Sequence, residues 1–164
     1  MPASKRHSQA IALLIADHVA VKKLFRQYDE LAEAKAEAGT RRDLARRICN
    51  ELKVHTRIEE EILYPAAREA LGEEADLVDE AQVEHASAKD LIAQIESMEP
   101  DQPLYDAKVK VLGEYIEHHV QEEQQEMFPK LEESRLDLDF LGEQIAVRKQ
   151  EIKAEIEQLE PEPA

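Results

Sequence analysis

Two copies of one pattern constrain this chain more than any other feature. The stretch from His55 to Pro65 reads His, Glu at +4, an apolar residue at +8, an aromatic at +9 and proline at +10. The stretch from His119 to Pro129 repeats it, with Glu123, Met127, Phe128 and Pro129 standing where Glu59, Leu63, Tyr64 and Pro65 stand in the first copy. Residues four apart on an α-helix lie one above the other, so each copy presents an imidazole and a carboxylate on one face. Two such helices, facing each other, would gather both pairs around a shared cation.

The rest of the pattern is helical too. With only 4 Gly and 4% aromatic residues, the 164-residue chain favours helices over sheets and is the size of one domain. A first segment, from about Ser8 to Ala38, carries Ile11, Leu14, His18, Val21, Phe25 and Tyr28 at alternating spacings of three and four. Gly39 is expected to stop it, and Thr40 to cap the next helix with Asp43 three residues on. The second segment, about 41–70, has the seam Ile48, Leu52, His55, Glu59, Ile62 and Ala66, with a kink expected at Pro65 and a stop at Gly72.

A third segment, about 74–98, has the seam Val78, Ala81, His85, Ala88, Ile92 and Ile95, and Pro103 suits the first turn of a fourth. That fourth segment carries Leu112, Ile116, His119, Glu123 and Met127, with a second kink at Pro129. Short connections between four long helices imply an all-α, antiparallel up-down-up-down four-helix bundle over residues 1–133. Residues 134–164 read as a C-terminal helical extension with Asp139 as its cap and Leu141, Ile145, Ile152, Ile156 and Leu159 on one side. It would pack on the bundle or pair with a second subunit, making the chain a monomer or a homodimer. Pro161 begins a frayed end.

A net charge of -16, from 37 acidic and 21 basic residues, disfavours nucleic acid and anionic membrane as partners. The start of the chain lacks the apolar run of a signal peptide and no stretch has the length of a membrane span, so a soluble cytoplasmic protein is expected. The single cysteine, Cys49, excludes an intramolecular disulfide and a thiolate metal cluster, and reads as an inert thiol beside the seam.

Four of the six histidines, His18, His55, His85 and His119, fall on seams, one per bundle helix, together with Glu59 and Glu123. Carboxylates are rarely buried unpaired, and no Lys or Arg shares this layer. Imidazole and carboxylate together suit a borderline transition metal. Four imidazoles and two carboxylates exceed the needs of one ion, whereas two ions roughly 3.5–4 Å apart would use them with a bridging carboxylate. The competing account is a metal-free bundle with a polar layer. His118 and Glu122 are also four apart, but the apolar seam and the +10 proline favour His119 and Glu123. Tyr64 and Phe128 read as aromatic plugs. Among Tyr28, Tyr105 and Tyr115, the nearest to serving as an extra ligand is Tyr115, one turn before His119.

His18, His55, Glu59, His85, His119 and Glu123, in this order and spacing, resemble the hemerythrin family in its bacterial His-His-Glu form, over residues from about 8 to 131. The resemblance implies two non-haem irons in a four-helix bundle, bridged by both motif carboxylates. One iron would lie between His18 and His55 and the other between His85 and His119; zinc or manganese are possible substitutes. Oxygen-carrying relatives have two histidines one turn apart on the third helix. Here Ala81 and Lys89 flank His85 at that distance, which leaves a coordination position for water, substrate or another side chain. The implied function is binding of O2, peroxide or NO at that open position, without catalytic residues. A peroxide-consuming di-iron enzyme and a metal store or metal-responsive interaction module are the alternatives.

Overall fold

A computed structural model describes residues 7–159, and every regular element among them is helical. The end expected at Pro161 lies outside these residues. In chain order the helices are α1 (Gln9–Glu33), α2 (Ala38–Ile58), α3 (Tyr64–Leu71), α4 (Asp76–Glu96), α5 (Tyr105–Glu122), α6 (Phe128–Glu133) and α7 (Leu138–Leu159). α1 packs on α2 and α5, and α4 packs on the same two, which closes an antiparallel four-membered ring. α3 and α6 prolong α2 and α5 beyond one π-helical turn each, Glu59–Leu63 and Glu123–Met127.

Those π turns replace the kinks expected at Pro65 and Pro129. A proline ring crowds the carbonyl four residues back and offers it no hydrogen bond, and one extra residue in the turn absorbs both defects. The Tyr64 N–H reaches the Glu59 carbonyl, and the Phe128 N–H reaches that of Glu123. The insertion also moves the seam. Ile62 and Ala66, expected on it, are half-buried, while Leu63, Tyr64 and Ala67 form the core.

Four helix boundaries differ from expectation. α1 stops at Glu33, five residues early, with Lys35 in the left-handed region at φ 53, and Gly39 and Thr40 fall inside the first turn of α2. Arg41 holds this corner, donating to the carbonyls of Ala36 and Pro100 and to Asp106. α5 begins at Tyr105 after Leu104 at φ 76, so Pro103 precedes the helix rather than opening it. At α7 the capping acceptor is Asp137, which receives the Phe140 N–H, while Asp139 receives the Gln9 N–H and so caps α1.

α7 lies across α1 and α2 of its own chain. Gly142 permits the approach: a Cβ there would come within 2.7 Å of the Ala10 nitrogen. Leu141, Ile145 and Ile152 join Ile11, Leu14, Ile58 and Leu63 in one apolar cluster. A second cluster, including Leu24, Ile48, Leu52, Ile92 and Leu112, fills the other part of the bundle. Neither contains the buried polar residues His18, His55, Glu59, His85, His119 and Glu123. No helix among the described residues is long and apolar enough to cross a membrane.

Candidate metal centre

The six polar side chains named from the sequence converge in the middle of the bundle, each less than a tenth exposed. α1 supplies His18, α2 His55, α4 His85 and α5 His119, while Glu59 and Glu123 open the two π turns. Two overlapping sets of ligand atoms result, each within 4.8 Å: His18, His55, Glu59 and Glu123 in one, and His85, His119, Glu59 and Glu123 in the other. Both carboxylates belong to both sets. The His18 and His55 Nε2 atoms are 3.2 Å apart, as are those of His85 and His119. Glu59 Oε1 lies 2.9 Å from His55 Nε2 and 3.3 Å from His85 Nε2, and Glu123 Oε1 lies 3.3 Å from His18 Nε2.

The outward nitrogens set the direction of the inward ones. His55 Nδ1 faces Asp17 at 3.1 Å, His119 Nδ1 faces Glu84 at 3.0 Å and His18 Nδ1 faces Gln124 at 2.8 Å. An acceptor there holds the proton on Nδ1 and leaves the Nε2 lone pair pointing inward, the arrangement of a metal-ligating imidazole. The repeat extends to these partners, since Asp17 and Glu84 each precede a seam histidine. Asp17 is also bonded by Lys149 of α7.

The donor set fits metal ions. Glu59 Oε1 and Oε2 and Glu123 Oε1 are buried without a hydrogen-bond partner, and the nearby Nε2 atoms answer them only if protonated. Leaving such charges uncompensated costs several kcal/mol each. A cation shared by both carboxylates removes that cost. Without one, protons take its place. Burial works against a charged His55, but Glu59 and the hydrogen bond that His55 donates to Asp17 outweigh it and lift the imidazole to about 10. His119 is raised in the same way, burial being overcome by Glu123, Glu59 and Glu84. Burial works to raise the Glu59 carboxyl, but the charge on His55 and the protons that His55 and His119 then carry toward it outweigh burial and hold it well below the usual carboxylate range.

One residue of this layer was not anticipated. Tyr64 reads as a plug, but its hydroxyl donates to Glu123 Oε2 at 2.6 Å and lies 3.1 Å from His85 Nε2 and 3.4 Å from His119 Nε2. It stands on the side where Ala81 and Lys89 leave helix α4 with a single histidine. Phe128, its counterpart in the second copy, stacks on His18 with ring centroids 6.0 Å apart. Tyr115, the tyrosine singled out from the sequence, is 51% exposed. Tyr28 bonds to Asp106, away from the six polar side chains.

The remaining candidates face outward or are inert. His118 is 67% exposed and pairs with Glu122, whereas His119 is buried. Glu60 bonds to Lys89, and Glu61 pairs with Arg57 and Arg148. Cys49 is fully buried among apolar residues, and burial pushes its thiol up to about 12, so it stays protonated. His7 lies against Glu132 at 3.1 Å.

A cavity of about 10 Å³, space for one water, is lined by all four of these histidines together with Val21, Ile116 and Val120. On the far side of that apolar wall, an open groove of about 600 Å³ runs between α1 and α5, past Phe25 and Gly113.

Comparison with known proteins agrees with this geometry. A crystal structure of a hemerythrin HHE cation binding domain-containing protein from Mycobacterium kansasii superposes with a TM-score of 0.74 at 27% identity, covering 89% of this chain and 88% of that one. A DNA nickase from Nostoc sp. is 32% identical over 83 residues, which are 49% of this chain and 22% of that protein, so this chain matches only a small part of it. The family model described as Hemerythrin HHE cation binding domain matches residues 9–160. The chain belongs to the hemerythrin HHE cation binding domain family.

Proposed function

We propose that the buried centre holds two non-haem iron ions and binds O2, peroxide or NO. The observation that carries this reading is the pair of ligand sets sharing Glu59 and Glu123, with a one-water cavity against all four histidines. Two ferrous ions would bring two reducing electrons to a small oxidant. The chain's own residues do the rest. Asp17, Glu84 and Gln124 hold protons on the outer imidazole nitrogens. Tyr64 keeps a proton at Oη, directed at Glu123. Val21, Ile116 and Val120 stand between the cavity and the open groove and keep bulk water from the centre.

The test is anaerobic addition of ferrous iron to metal-free chain, followed by oxygen, with metal content and absorption recorded. Two irons per chain and a new near-ultraviolet and visible band are expected. A colourless chain without iron, or one zinc per chain that iron does not displace, would overturn the reading.

Tyr64 favours a second reading, peroxide consumption, because a phenolic proton beside the ligand ring can be delivered to a reduced product. Repeated turnover of hydrogen peroxide that falls sharply in Tyr64→Phe would support it; oxidation that stops after one equivalent would reject it.

A further inference from the structure

A third group of ligand-type side chains lies outside the centre. Glu84 of α4 and His118 and Glu122 of α5 bring one ligand atom each within 4.8 Å of the others. His118 Nε2 is 3.0 Å from Glu122 Oε1 and 3.9 Å from Glu84 Oε2. Glu84 faces both ways, since its other oxygen, Oε1, accepts from His119 Nδ1. A cavity of about 10 Å³ lies between the levels, lined by Glu80, Glu84 and Glu122 outside and by His119 and Glu123 inside. Glu123 is 2% exposed, and its Oε1 has no hydrogen-bond partner.

The first half of the chain gives an independent comparison. Asp17 corresponds to Glu84: one oxygen receives His55 Nδ1, and the other binds the Lys149 ammonium. A fixed cation therefore occupies this position in the first half. There His118 and Glu122 have Val54 and Ile58 as counterparts, both buried in the cluster that includes α7. Among the described residues the corresponding face of the second half is uncovered and no lysine meets Glu84, while an imidazole and a second carboxylate stand beside it.

We propose that Glu84, His118 and Glu122 form a surface capture site for a divalent cation, which then passes inward to the buried centre. This rests on the reading that the centre holds metal. Imidazole and carboxylate suit a divalent transition-metal ion. Three ligands on an exposed face bind it weakly enough for release, and Glu84 offers one oxygen to the captured ion while the other touches a residue of the inner site.

Two measurements on the full chain decide it. In chain preloaded with zinc, Mn²⁺ is added and broadening of the histidine ring signals is followed by NMR, with exposed His7 as the control. Broadening selective for His118, and lost in Glu122→Gln, is expected; equal broadening of His7 and His118 means adventitious surface binding and overturns the capture site. In the second, metal-free chain takes up ferrous iron anaerobically and uptake is stopped at intervals with a chelator. Electrostatic focusing raises encounter rates by about tenfold or more, so His118→Ala/Glu122→Gln should load about tenfold more slowly and reach the same final content. An unchanged rate overturns the transfer. Failure of the unsubstituted chain to take up ferrous iron would instead refute the proposed function, and the transfer with it, while the Mn²⁺ result on the zinc-loaded chain would still decide capture.

Discussion

Metal uptake by this chain should release protons, and their number follows from the centre. In the metal-free chain His55 is raised to about 10 and His119 is raised as well, so both carry a second proton at pH 7. A metal needs the neutral imidazole, so binding expels both, and roughly two protons should appear per loaded chain. Each costs about tenfold in apparent affinity for every unit by which pH is lowered; with His55 in one ligand set and His119 in the other, the affinity for each ion should fall about tenfold per unit and the product for both ions about a hundredfold. An imidazole site with ordinary values would show almost no slope above pH 7.

Calorimetry of Co²⁺ binding at pH 7.5, in buffers of different ionisation enthalpy, counts the protons directly. A Co²⁺ competition titration against a chelator between pH 7 and 8.5 gives the slope. Asp17→Asn should reduce the count, because Asp17 is among the groups that raise His55. A count near zero in the unsubstituted chain would refute the account of protons standing in for metal. The same shift has a stability side. The stabilisation from a raised His55 is fully present below about 6.5, the ordinary imidazole value, and is lost as pH rises through about 10, so the metal-free chain should lose stability across that window.

Tyr64→Phe removes a 2.6 Å hydrogen bond to a buried carboxylate and should destabilise the metal-free chain by about 2 kcal/mol, measured by urea unfolding. Its iron-loaded form should also differ in visible absorption; identical spectra would place the phenol outside the ligand ring. Ile152→Ala, at a fully buried position of α7, should cost about 3 kcal/mol, with a urea midpoint independent of protein concentration. A concentration-dependent midpoint would mean that α7 packs on another chain. Gly142→Leu forces a side chain against the α1 backbone and should cost about 3 kcal/mol, whereas a neutral result would contradict the close contact. Val120→Trp should slow oxidation of the ferrous chain without changing its iron content, because Val120 lines both the groove and the small cavity.

The six polar residues were legible because the spacing of four is local: wherever an α-helix forms, His55 and Glu59 share a face. The bundle was legible for the same reason, its seams being periodic. Tyr64 was not. At about 100° per residue, nine steps from His55 point to the opposite side of an α-helix. The π turn between them retards the rotation by about a quarter turn and swings Tyr64 toward the core. The sequence shows the cause, the proline at +10, but a proline reads equally well as a kink. The early end of α1 was hidden for another reason: the Arg41 bonds to Pro100 and Asp106 are tertiary and leave no local trace. α7 was visible as a helix, but its docking depended on the bare Gly142 face meeting Ala10, residues far apart in sequence.

The pairing of Tyr64 with Phe128 reaches beyond the ligand count. The repeated pattern gives the two halves matching positions, and at one of them a hydroxyl is present in one aromatic and absent in the other. One position has an oxygen donor beside His85 and His119; the other has the hydrocarbon face of Phe128 against His18. Ions differ in their appetite for oxygen over nitrogen. With two ions bound as proposed, a chain offered a mixture of metals would have a basis for sorting them, the more oxygen-seeking ion settling on the Tyr64 side and its companion on the other.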